Sequence, residues 1–127
     1  MTSVLPAYMA RMDSGDPQRA LELLVPEFRF LIVLPSGEVT GRSKADFAAY
    51  VAGRNAVDRE HKILRHSCDG DLETVYGVVT ESGKSVGSFL SAAVVTPEGR
   101  MARYQSYFTT TYDLIDLPEQ QQRRKST

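Results

Sequence analysis

Few residues of this chain can move a proton near neutral pH. His61 and His66 are its two histidines, and an imidazole with an ordinary pKa of about 6.5 suits that task best. Five positions apart in a run that reads as a strand, they fall on opposite faces of a regular pleat, so at most one lines a cavity. His61 is preferred, because it begins its strand close to where the preceding helix should end. Opposite faces also argue against a metal site, no carboxylates are spaced to complete one, and no metal or cofactor is expected. Cys68, the single cysteine, excludes an internal disulfide and any multi-cysteine zinc site, and it has no obvious histidine partner. Tyr8 carries a hydroxyl on an early apolar helix face, where it either donates to a ligand carbonyl or simply packs.

The elements that must hold these groups are legible from periodicity. A first helix runs from about Val4 to Asp13, with Thr2 or Ser3 as N-cap and Leu5, Tyr8, Met9 and Met12 as its apolar stripe. Gly15 ends it; Asp16 and Pro17 start a short second helix that Pro26 closes. Asp13 and Asp16 are read as helix-terminating and capping residues. Phe28, Phe30, Ile32 and Leu34 alternate along a mostly buried strand, and Glu38–Arg42 forms a short return strand. Ser43 caps a third helix with Phe47, Tyr50 and Val51 inward, ending between Arg54 and Arg59. Four strands follow, at His61–Cys68, Leu72–Glu81, Ser85–Thr96 and Arg100–Tyr112. Short Asp-Gly-Asp, Ser-Gly-Lys and Thr-Pro-Glu-Gly turns make them antiparallel neighbours. Helices gather early and strands late, so the class is α+β, with a curved sheet wrapped around about three helices.

Alternation assigns the faces. Phe89 and Ser91 share one face of their strand, and Tyr104, Ser106 and Phe108 share one face of the last. Large aromatics mixed with small hydroxyls suit a small-molecule site. Arg103, Gln105, Tyr107 and Thr109 occupy the opposite face, a composition that suits a homodimer interface.

With 127 residues the chain supports one core. A single domain over residues 1–118 and a polar, disordered tail over 119–127 are expected. The formal net charge of −1 provides no field to recruit nucleic acid or anionic membrane. No run approaches the length of apolar sequence that spans a bilayer, and no secretory signal precedes the domain, so a cytoplasmic protein is expected.

Taken together, Tyr8, Gly15-Asp16, Ala20-Leu21, Leu24, Phe28-Arg29-Phe30 and Gly41-Arg42 resemble the nuclear transport factor 2-like superfamily. Its members include SnoaL-like polyketide cyclases, ketosteroid isomerase, limonene epoxide hydrolase and scytalone dehydratase. The likeness covers about Leu5 to Leu114, and Arg59–Asp71 with its Asp-Gly-Asp turn looks most like the SnoaL-like branch. The resemblance implies a cone of curved sheet closed by helices, a pocket in its mouth, and a homodimer through the outer sheet face.

Site residues follow one at a time from that resemblance. Tyr8 looks like the helix-one tyrosine of ketosteroid isomerase that donates to the dienolate oxygen. The isomerase's general-base aspartate falls at about Ile32 and its protonated acid at about Ser91. The acidic member of the epoxide hydrolases' triad falls at Ser106. Neither inherited carboxylate set is present, which disfavours both reactions by those arrangements. The expected occupant is a mainly apolar cyclic or polyketide-like molecule among Tyr8, Phe28, Ile32, Phe89, Ser91, Tyr104, Ser106 and Phe108. His61 or His66 would act as base in an isomerisation, dehydration or cyclisation. The alternatives are a non-catalytic binding or dimerisation module, or an accessory subunit of a larger enzyme.

Overall fold

The computed structural model describes residues 3–54 and 58–115. Thr2 and the segment 119–127, read above as a cap and a tail, lie outside the described residues. Helix α1 spans Val4–Met12, a 3-10 helix spans Pro17–Leu23, and α2 spans Lys44–Ala52. The strands are β1 (Leu24–Leu34), β2 (Gly37–Gly41), β3 (Arg59–Asp69), β4 (Leu72–Glu81), β5 (Lys84–Val95) and β6 (Met101–Thr109). They form one six-stranded sheet in the order β2-β1-β6-β5-β4-β3. Every neighbouring pair is antiparallel except β1 with β6, which run parallel. The α+β class and the antiparallel meander are as the periodicity predicts.

Among the differences from expectation, two element boundaries and one helix cap have clear local reasons. Pro26 does not close a helix; β1 already begins at Leu24. Its pairing with β6 skips from Leu24 to Arg29, so the missing proline N–H falls where no ladder bond is required. The third helix stops at Ala52, because the Gly53 N–H caps the carbonyls of Ala49 and Tyr50. Asp16 precedes the 3-10 helix without a side-chain capping bond, whereas Ser43 caps α2 by accepting from Asp46 N at 3.0 Å.

Bulges bend the sheet and redirect its side chains. Leu64 in β3, Val86 in β5 and Ala102 in β6 are each an extra residue against the partner strand. The Ala102 bulge turns Met101 into the core, where it is fully buried. Gly77 sits where β4 is pressed against β3: a Cβ there would overlap the Lys62 carbonyl and come within 2.9 Å of the Phe89 ring.

The concave face packs on α1 and α2. Phe47 of α2 sits edge-on to Phe28 and Phe30, with ring centroids at 5.5 and 5.0 Å, and all three are buried. Two carboxylates fix the ends of α1. Glu73 accepts from Val4 N at 3.0 Å and Leu5 N at 3.1 Å, placing negative charge at the helix N-terminus. Asp13, just beyond the other end, accepts from His61 N at 2.6 Å. On the convex face the chain's own segment 110–115 covers part of the sheet. Ser88 donates to the Tyr112 carbonyl at 2.7 Å, and the Tyr76 hydroxyl accepts from Leu114 N at 2.7 Å. No helix among the described residues is long and apolar enough to cross a membrane.

Candidate functional site

Between the concave face, α1 and α2 lies a cavity of about 510 Å³. Tyr8 reaches it from α1, His61 and Arg59 from β3, Phe89 from β5, and Tyr104, Ser106 and Phe108 from β6. Ile32 of β1 and Tyr50 and Arg54 around the end of α2 complete most of the wall. The side chains proposed from sequence therefore converge, with three exceptions. Phe28 is wholly buried beneath the wall, Ser91 lies behind Ser106, and His66 is far along β3.

The hydroxyl-bearing side chains gather in one place. Tyr8 and Tyr104 have ring centroids 5.2 Å apart. Tyr104 shares its face of β6 with Ser106, whose hydroxyl oxygen lies 2.8 Å from that of Ser91 on β5. This resolves why serines occupy a buried face: each hydroxyl has a partner. Burial pushes the Tyr8 phenol well above its ordinary value of 10.0, and the neighbouring Tyr104 and Tyr50 add to that more strongly than Arg54 opposes it. Burial raises Tyr104 as well, with hydrogen bonds from Ser106, Ser91 and Tyr8 acting against it. Both phenols thus remain neutral donors across the physiological range.

His61 and His66 do not lie on opposite faces. The Leu64 bulge inserts one residue between them, so His61 opposes Val79 and His66 opposes Val75, both inward positions of β4. His61 still stands alone at the cavity, its ring edge-on to Phe89 at 5.0 Å. Its Nδ1 lies 2.7 Å from Asp13 Oδ1. Asp13 is therefore more than a helix terminator. One carboxylate oxygen accepts from the His61 backbone and the other holds its ring. A carboxylate only accepts, so Nδ1 carries the hydrogen and, in neutral imidazole, Nε2 keeps the lone pair.

Periodicity could not find this pair, since capping already accounted for Asp13 and 48 positions separate it from His61. Also unforeseen is the mouth of the cavity. Arg59 donates through Nε and Nη2 to Glu81 Oε2 at 3.3 and 3.1 Å, and Arg54 lies over the Tyr50 ring at 6.0 Å. His61 and Arg59 also line a second, more open depression of about 420 Å³, together with Asp13 and Pro6.

The outer-face residues Arg103, Gln105 and Tyr107 are exposed and Thr109 is half-buried. Tyr107 pairs across strands with Leu90, and these large apolar side chains are 52% and 46% exposed.

No protein-family model matches the sequence, and no curated protein is a detectable sequence relative. Solved structures do match. A protein of the SnoaL-like family from Agrobacterium tumefaciens str. C58 superposes with a TM-score of 0.70 at 14% identity, covering 84% of this chain and 94% of that one. A protein with a ketosteroid isomerase-like fold from Catenulispora acidiphila DSM 44928, in complex with trimethylamine, gives 0.71 at 15% identity over 90% and 88%. An LEH-like epoxide hydrolase from M. tuberculosis gives 0.67 at 16% identity over 97% and 87%. The helices before the meander, the parallel β1–β6 pairing and these superpositions together establish that the chain has the nuclear transport factor 2-like fold, in common with SnoaL-like and ketosteroid isomerase-like proteins.

Proposed function

We propose that the cavity takes a small, mainly apolar cyclic molecule bearing a carbonyl, and that the protein transfers a proton on it. The observation that carries this reading is the Asp13–His61 pair opening onto the same cavity as the neutral Tyr8 donor. His61 Nε2 removes a proton from the carbon beside the carbonyl and returns it elsewhere, and Asp13 stabilises the imidazolium that forms between the two steps. Tyr8 turns its single O–H from Tyr104 to the oxygen on which negative charge develops, with Tyr104 and the two serines packed behind it. Isomerisation, dehydration and aldol-type cyclisation all share this step.

The missing carboxylates at Ile32, Ser91 and Ser106 do not weigh against such chemistry, because Asp13–His61 supplies a base from another direction. They do favour a second reading, in which the cone only binds its ligand. Titration with 2-tetralone and with the hydrocarbon tetralin separates the roles. Tyr8→Phe should weaken the ketone about tenfold, the worth of one hydrogen bond, and leave the hydrocarbon unchanged. Equal losses for both ligands would refute the donor role.

The same reading includes a homodimer through the convex face, where Tyr107 and Leu90 provide the apolar centre and Arg103 and Gln105 the polar rim. Sedimentation should show a dimer that Leu90→Lys converts to monomer; a monomeric parent protein contradicts it.

A further inference from the structure

Beyond the Leu64 bulge, β3 turns three metal-binding side-chain types toward one point. His66 and Cys68 are two residues apart and share the inward face, and Cys68 is the direct cross-strand partner of Glu73. His66 Nε2 lies 3.2 Å from Glu73 Oε1 and 3.7 Å from Cys68 Sγ, and all three donor atoms fall within 4.8 Å of one another. The cluster lies outside the cavity, at the β3–β4 hairpin end of the sheet.

We propose that His66, Cys68 and Glu73 form a binding site for a divalent cation of borderline softness, with zinc as its reference ion. A Cys-His-acid hydrolytic triad is the obvious competitor, and the geometry opposes it. A relay needs the thiol on one ring nitrogen and the acid on the other. Here both face Nε2. Convergence on one point is what a cation requires. Tetrahedral zinc with bonds of about 2.0–2.3 Å places nitrogen and sulfur about 3.6 Å apart, and nitrogen and oxygen about 3.4 Å apart. The observed separations of 3.7 and 3.2 Å are within a few tenths of these.

A nitrogen, a thiolate and a carboxylate select a zinc-like ion over magnesium or calcium. The Glu73 carboxylate is already oriented by Val4 N and Leu5 N, hydrogen bonds of the kind that fix a metal-bound carboxylate from outside. Binding displaces the Cys68 thiol proton to solvent and leaves the His66 hydrogen on Nδ1, freeing Nε2 for the ion. Half-exposed His66 and exposed Cys68 leave the entry path and a fourth coordination position to water.

This inference is independent of the cavity's chemistry, and cobalt(II) added to the tag-free, reduced protein tests it. One equivalent should produce a near-ultraviolet thiolate-to-cobalt band that zinc(II) abolishes by displacement. Cys68→Ser should remove the band, and His66→Asn should weaken binding by at least the roughly 10–100-fold that loss of an outer partner costs a metal site. His61→Asn should leave both intact. Absence of the band in the parent protein, or undiminished binding in His66→Asn, overturns the proposal. Circular dichroism of both variants confirms that they remain folded; Glu73 is left unchanged because it holds α1.

Discussion

Replacing Asp13 by asparagine alters the site by one atom and reverses the proton arrangement of His61. The asparagine carbonyl must take the Oδ2 position, because the His61 backbone N–H there can only donate. Its amide NH2 then faces Nδ1, at the 2.7 Å position now held by Oδ1. Nδ1 becomes an acceptor and the hydrogen moves to Nε2, the nitrogen that should act as base. The structural cost is modest: two charge-assisted bonds of about 1.5–3 kcal/mol each become neutral ones of about 0.5–1.5 kcal/mol, a loss of roughly 2 kcal/mol. The Asp13 side chain is only 12% exposed, so water recovers little of this. A chain of this size should lose roughly 6–10 °C in Tm. Proton transfer should fall further, by about 10²–10⁴, the usual contribution of a positioned base. Nitrogen-15 NMR of the imidazole reads the tautomer directly. It should show Nδ1–H in the parent protein and Nε2–H in Asp13→Asn. Nε2–H in the parent, or an unchanged tautomer in the variant, would refute the reasoning.

Other expectations follow from the same structure. Tyr8 and Tyr104 are raised by burial, so their folded-state values exceed those of the unfolded chain. Their neutral forms stabilise the fold fully below pH about 10, and that contribution is lost as pH rises above it. Ultraviolet titration should show a delayed component that Tyr8→Phe and Tyr104→Phe each diminish, and a titration curve that neither variant changes contradicts this. Gly77→Ala should destabilise by about 1–3 kcal/mol or more, because the new methyl meets the Lys62 backbone; denaturant unfolding with no change in midpoint argues against the tight bend. Phe47→Ala removes a fully buried ring from the aromatic cluster and should cost about 3–5 kcal/mol by the same measurement; a loss below about 1 kcal/mol would mean the helix is not held by that ring.

Much of the framework was legible because it rests on local rules. Alternation placed Phe89, Tyr104, Ser106 and Phe108 on the cavity side, and turn composition located each hairpin of the meander. What escaped depends on single extra residues or on distant partners. Leu64 carries no local mark of a bulge, yet it decides that His61 and His66 share a face and so makes the His66–Cys68–Glu73 cluster. Asp13 already had a sufficient local explanation, and its bond to His61 appears only once α1 lies across β3. The parallel pairing of β1 with β6 likewise brings together strands far apart in sequence.

The central claim is that His61, held by Asp13, moves protons in the cavity. Deuterium exchange at the α-carbons of 2-tetralone in heavy water measures it without knowledge of the natural substrate. The parent protein should accelerate exchange, His61→Gln should lose about 10²–10⁴ of that acceleration, and His66→Gln should keep it. Exchange no faster than in buffer, or undiminished in His61→Gln, contradicts the account.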